Sequence, residues 1–170
     1  MYNRGTATSF DVVTFVTNPL IIYQQCVGLV TAIMSSISVE TAVHNLEGEL
    51  HPDQAPENVE ALRDLMPLES ELMHVRWSGH ATWINIDEEP LPELPRENHT
   101  VYPSRGDVLL YPGYKNEKEI LIACGPTCFK STAGELAGNH VATLSTSPEE
   151  LAALERKTLQ EGALSIRLIE

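Results

Sequence analysis

From Ser35 onward, apolar and polar residues alternate in short blocks. Ile37-Ser38-Val39-Glu40 and Leu46-Glu47-Gly48-Glu49-Leu50 alternate strictly. Successive side chains of a strand point to opposite faces, so the two blocks predict half-buried strands that pair antiparallel. The period lengthens between Asp53 and Met66, where Val59, Leu62, Leu65 and Met66 fall on one face of a helix. Pro56 suits the first turn of that helix, and Pro67 stops it. Leu72–Trp77 and Ala81–Ile86 read as strands about a Ser78-Gly79-His80 turn, and Asp107–Tyr111, Ile120–Cys124 and His140–Ser145 as three more. Ser147-Pro148-Glu149-Glu150 is a capping box with proline at the first helical position. It predicts a helix to Glu161, with Leu151, Leu154 and Leu159 inward and Gly162 as its stop. Leu164, Ile166 and Leu168 alternate as a last strand.

About eight short strands with two helices predict a mainly β fold closed into a barrel, the arrangement that removes exposed edges. The acidic, proline-rich stretch from Asp87 to Arg105 predicts a surface loop. Residues 34–170 form the expected barrel domain. Residues 1–33 form an N-terminal extension of different character, with Asp11 and Arg4 as its acidic and basic residues. Its apolar run, Val12–Ile33, is interrupted by Asn18, Pro19, Gln24 and Gln25, which suits neither a membrane span nor a secretory signal. Met34 is an alternative start.

The formal charge of −13 lies entirely beyond that extension. It argues against nucleic acid and anionic membranes, which demand clustered Lys and Arg. Three cysteines, Cys26, Cys124 and Cys128, make no disulfide framework and point to a reducing cytoplasm. The three residues between Cys124 and Cys128 match neither a redox dithiol nor a zinc pair, so both thiols read as apolar fillers.

Candidate chemistry lies where polar residues interrupt the strands. His74-Val75-Arg76-Trp77-Ser78-Gly79, Glu97 through Pro103, and Ala137-Gly138-Asn139-His140 carry groups that are costly to bury unless paired or used. They suggest one polar pocket. Arg76, read as mid-strand, would clamp a ligand carboxylate or carbonyl, or pair with Glu97 or Glu119. His140 or Glu97 would serve as base, and His74 as base or orienting donor. Asn98 and Asn139 would hold amide or carbonyl groups, while Trp77 and Tyr102 would stack on the ligand. Ser78 belongs to the lining but has no nucleophile-elbow context. Each has a structural alternative: a satisfied core histidine, a turn asparagine, a wall aromatic. His74, His99, His140 and Glu97 lack close ligand spacing, so neither metal nor cofactor is expected.

Several blocks together resemble a bacterial and archaeal family of uncharacterised proteins with a cyclophilin-like β-barrel. They are Ala55-Pro56-Glu57-Asn58-Val59, the Arg76 and Glu97 blocks, Gly106 through Gly113, and Ala133 through His140. The likeness runs from about residue 36 to the end. Tyr114 stands where the family usually has a second glycine, and Cys124–Phe129 matches loosely. The resemblance implies a cyclophilin-like barrel and brings no established reaction. In cyclophilins an arginine on the strand after the first helix polarises the prolyl amide, and Arg76 resembles it in location; the phenylalanine-lined groove has no counterpart. The expected function is binding of a small carboxylate- or amide-bearing molecule, with lyase, isomerase or hydrolase activity as its enzymatic form. Peptidyl-prolyl isomerisation is the alternative, and a non-catalytic structural or subunit role the third. The expected partner is a small-molecule ligand, and a homo-oligomer is compatible with the sequence.

Overall fold

The computed structural model describes residues 35–170; the extension over 1–33, with Cys26, lies outside the described residues. The strands are β1 (Ser36–Thr41), β2 (Asn45–Leu50), β3 (Leu68–His74), β4 (Gly79–Asn85), β5 (His99–Thr100) and β6 (Asp107–Tyr111). They continue as β7 (Glu119–Thr127), β8 (Lys130–Ser131), β9 (Gly134–Glu135), β10 (Gly138–Leu144) and β11 (Leu164–Ile169). The helices are α1 (Pro56–Leu65) and α2 (Pro148–Glu161).

Strand order is β2-β1-β11-β3-β4-β7-β6-β10, and β10 returns to β2, so the eight close into an antiparallel barrel. The closing seam consists of Ala142 opposite Leu50, Thr143 opposite Glu49 and Leu144 opposite Gly48. A side chain at Gly48 would meet the Thr143 carbonyl at 2.6 Å, so this seam needs glycine. Short β5 pairs with the start of β10, and β8–β9 form a separate hairpin.

Alternation decides what the barrel encloses. Ile37, Val39, Leu46, Leu50, Leu168 and their neighbours point inward into one aliphatic cluster. Val59 and Leu62 of α1 and Leu151 and Leu154 of α2 join that cluster. The capping box of Ser147 and Glu150 forms as expected. It contributes about 1 kcal/mol, against roughly 3–6 kcal/mol for burying the two leucines, so packing fixes α2. Thr158, not Leu159, completes its inner face, and Leu159 is exposed. Position 158 lies seven residues from Leu151 and nearly eclipses it, whereas 159 is rotated a further 100°.

β6 and β7 are buried on both faces. Their inward residues join the interior, while Leu109, Tyr111, Leu121 and Ala123 form a second cluster outside the barrel with Phe129 and Leu136. Several predicted boundaries move by one to three residues, and the largest change falls on β3. The strand expected over Leu72–Trp77 begins at Leu68 and ends at His74, and the turn runs through Arg76, Trp77 and Ser78. Val75 is buried in the outer cluster, which gave the turn a strand-like pattern. Gly79, at φ +100°, opens β4 instead of sitting mid-turn.

Candidate functional site

The polar residues of the three blocks separate into distinct places. The first is a closed knot. Glu97 Oε2 accepts from the Asn58 backbone N–H at 3.1 Å and from Asn58 Nδ2 at 2.8 Å. Asn139 Nδ2 donates to Asn58 Oδ1 at 2.5 Å and to the Tyr114 hydroxyl at 3.1 Å, while Asn139 Oδ1 accepts from Glu97 N–H at 3.1 Å. The Pro95 carbonyl accepts from Asn58 Nδ2 and from Tyr114 Oη. Asn58 and Asn139 are both fully buried. The knot ties the 87–105 loop to the start of α1 and to β10. Glu97 and Asn139, expected as ligand-handling groups, here satisfy one another and Asn58, as buried polar groups must. Asn58 and Tyr114 were not anticipated. Tyr114 also carries Arg96 over its ring at 4.1 Å.

The second place is a histidine cluster on the outside of the closing seam. Thr143 Oγ1 lies 2.9 Å from His51 Nε2, 3.0 Å from His140 Nε2 and 3.4 Å from Asp107 Oδ1. His140 Nε2 is 3.3 Å from Asp107, and the two imidazoles meet edge to face at 4.8 Å. Asn98 donates to Gln54 Oε1 at 2.8 Å and lies 3.4 Å from His140 Nδ1, in a left-handed conformation at φ 43°. A β-bulge between His140 and Ala142 re-aims His140. Burial, then His140, push the His51 pKa down. Burial pushes Asp107 up, but His140, the Ser104 N–H and Thr143 outweigh it and leave Asp107 below its ordinary value. His140 therefore has the carboxylate partner of a general base. The signal for His51 and Asp107 in the sequence was weak, since each merely flanks a strand.

The third place is a groove of about 510 Å³ outside the barrel, between β3–β4, the end of α2 and the β8–β9 hairpin. Its lining includes His74, Arg76, Trp77, Trp83, Glu119 and Lys130. Arg76 is exposed in the turn, and among the described residues it has no hydrogen-bond or ion-pair partner, so neither expected bridge, to Glu97 or to Glu119, is formed. Trp77 is 65% exposed beside it. Glu119 is 5% exposed, and its carboxyl has no partner among the described residues. Burial, then the charges of Glu117 and Asp87, push its pKa up to about 8, so the acid is largely neutral at pH 7.

His74 Nε2 meets Glu155 of α2 at 3.3 Å, and Glu155 also takes His80 Nδ1 at 3.0 Å, clamping the helix to both sides of the β3–β4 turn. Ser78 Oγ donates to the Lys130 carbonyl and accepts from its N–H, so its hydroxyl is spent on holding the β8–β9 hairpin, although Ser78 borders an adjoining hollow. Tyr102 is exposed and donates to Glu135 at 3.2 Å, away from the groove lining. Cys124 is buried, and burial pushes its thiol up to about 12, the behaviour of a filler. Among the described residues no group of three or more His, Cys, Asp or Glu side chains is arranged to hold a metal ion. Likewise, no helix among them is long and apolar enough to cross a membrane.

A closed eight-stranded antiparallel barrel with two helices is the cyclophilin-like architecture, and solved structures share it. McbB, whose structure holds tryptophan, superposes with a TM-score of 0.63 at 18% identity, over 79% of this chain and 44% of that one. The chain thus spans less than half of the McbB chain. The solution structure of hypothetical protein AF2241 from Archaeoglobus fulgidus gives 0.54 at 19% identity, over 79% and 93%. A cyclophilin-type peptidyl-prolyl isomerase of Cryptosporidium parvum gives 0.51 at 14%, over 79% and 97%. At these identities the likeness is one of fold. Comparison with curated proteins finds no match. Residues 37–170 match the family described as Protein of unknown function (DUF3830), and the chain belongs to it.

Proposed function

We propose that the outer groove binds a small carboxylate-bearing molecule, held by Arg76 and Lys130. The observation that carries this reading is an arginine lining a cavity with no protein partner among the described residues. In a chain of net charge −13 with 11 Lys and Arg in all, two cations at one groove are a conspicuous use of positive charge. A guanidinium presents two parallel donors to a carboxylate, and the adjoining Trp77 and Trp83 offer apolar faces to the rest of the molecule. That McbB binds tryptophan, a carboxylate with an aromatic body, is in keeping with this use of the fold.

The enzymatic form of the reading has less support. Glu97 is committed to Asn58, and His140, though paired with Asp107, is not part of the groove lining. Prolyl isomerisation rests on analogy of fold and on the likeness of Arg76 to an arginine on the strand after the first helix, and Arg76 stands in the turn that follows that strand. Phe129, the phenylalanine of the described residues, is buried in the outer cluster and lines no groove.

The test is calorimetric titration of N-acetyl-leucine and its amide against the full chain. Arg76→Met should weaken binding of the acid by roughly 1.5–3 kcal/mol, the range for a charged hydrogen bond, and leave the amide unchanged. Arg76→Lys should recover part of the loss, since it restores charge without the planar fork. Equal affinity of wild type and Arg76→Met for the acid would remove Arg76 from the site.

A further inference from the structure

The groove is chemically polarised along its length. Register sets the scale: Met73 faces Trp83, Trp83 faces Leu121, and Glu119 lies two residues before Leu121 on β7. Arg76 lies three residues beyond Met73 in the other direction. His74, the last residue of β3, shares a register with Ile122, so three residues of strand rise and two strand spacings separate it from Glu119, on the order of 15 Å, and Arg76 follows in the turn. Arg76 and Glu119 both line the cavity, and side chains of a few ångströms at each end leave room for a ligand of roughly 10 Å, the length of about three extended residues. The cationic end is Arg76 with Lys130; the middle is Met73 and Trp83; the far end is Glu119, with Glu117 beside it.

We infer that the groove selects a linear molecule carrying a carboxylate at one end and an amine about three residues' length away, the chemistry of a short peptide with free termini. The inference rests on the carboxylate-binding reading above. A free α-amino acid holds its two charges within one residue and reaches only one end. At the far end the acceptor is a single carboxyl, nine-tenths buried, lining the cavity and without a partner among the described residues. The groups around it do not supply a cation to pair with: Glu117 and Asp87 are like charges, and Tyr111 stands opposite it on β6. A ligand ammonium would complete that end, and Glu119 would give up its proton to the solvent as the pair forms.

The experiment uses the full chain with Ala-Leu-Ala, its N-acetylated form, its C-terminal amide, and leucine. Ala-Leu-Ala should bind at least about tenfold more tightly than the acetylated peptide, the factor for one added charged contact. The C-terminal amide should lose affinity by a similar factor, and leucine should bind no better than N-acetyl-leucine. Glu119→Gln should abolish the difference between free and acetylated peptide while leaving the acetylated peptide's affinity unchanged. Titrations in two buffers of different ionisation heat should show proton release with Ala-Leu-Ala and none with the acetylated form. Affinity for the free peptide should rise from about pH 6 to about pH 7.5, as Glu119 ionises while the peptide amine stays protonated. Equal binding of free and acetylated peptide, persistence of the gap in Glu119→Gln, or no binding of any tripeptide overturns the inference. If acetylation is without effect while amidation and Arg76→Met both weaken binding, the carboxylate reading stands and this one falls.

Discussion

The knot at Asn58, Glu97 and Asn139 and the groove at Arg76 and Glu119 both place polar side chains against a hydrophobic barrel, yet they resolve the cost in opposite ways. In the knot each carboxylate and amide finds a protein partner within 3.2 Å. In the groove an arginine and a glutamic acid have none among the described residues. The lesson is that a polar residue in a barrel wall is not by itself a sign of function. Closure of its hydrogen bonds marks architecture, and an open valence beside a cavity marks a candidate site.

The contrast breaks most readily at Asn139. Asn139→Ala strands Asn58 Oδ1 and the Glu97 N–H together, and should cost about 3–4 kcal/mol in urea denaturation, as for a broken buried network. A loss below about 1 kcal/mol would mean that water repairs the knot. Next is Glu119. Its folded pKa is raised to about 8 from 4.5, so the native state holds a proton that the unfolded chain releases. Stability from that proton is present below about pH 4.5 and is lost as pH rises through about 8. Glu119→Gln should therefore match wild type near pH 4 and exceed it by roughly 2–3 kcal/mol near pH 9. Denaturation curves at the two pH values decide; a parallel offset at both would show that packing, not ionisation, is responsible.

A smaller effect is expected at His51. Burial and His140 lower its folded pKa below 6.5, so its contribution is present above about 6.5 and is lost as pH falls through the folded value. His51→Gln should flatten the acid limb of the stability profile, read by thermal melts across that range. The smallest effect is the most diagnostic. Arg76→Met should change stability by no more than about 0.5 kcal/mol, as for an exposed unpaired side chain, while ligand affinity falls. A strongly destabilised Arg76→Met would move Arg76 to the architectural side of the comparison.

How far each region could be read from the chain follows from the same division. The strict alternation of β1, β2 and β11 and the caps of α2 are local signals, and they gave the barrel and its helices in the right places. β6 and β7 carry no alternation because both their faces are buried, against two different clusters. Arg76 reads as mid-strand because Val75 and Trp77 on either side of it are apolar; nothing local says that Trp77 has turned to solvent, 65% exposed. The knot depends on contacts 19 to 81 residues apart, which leave no period. One trace existed: Asn58 sits four residues before Leu62 on the buried face of α1, where an amide needs a reason. The groove's residue types were partly legible, but its division from Glu97, Asn139 and His140 was not, because that requires knowing which side of the wall each residue faces.

The wall itself has a further consequence. Inward residues of β7, Ile120 and Ile122, hold the interior, while Glu119 and Leu121 on the same strand face outward. Substitution of Glu119 can therefore change the chemistry of the groove wall without disturbing the inward packing that keeps the barrel shut, whereas Leu121 is held by the outer cluster.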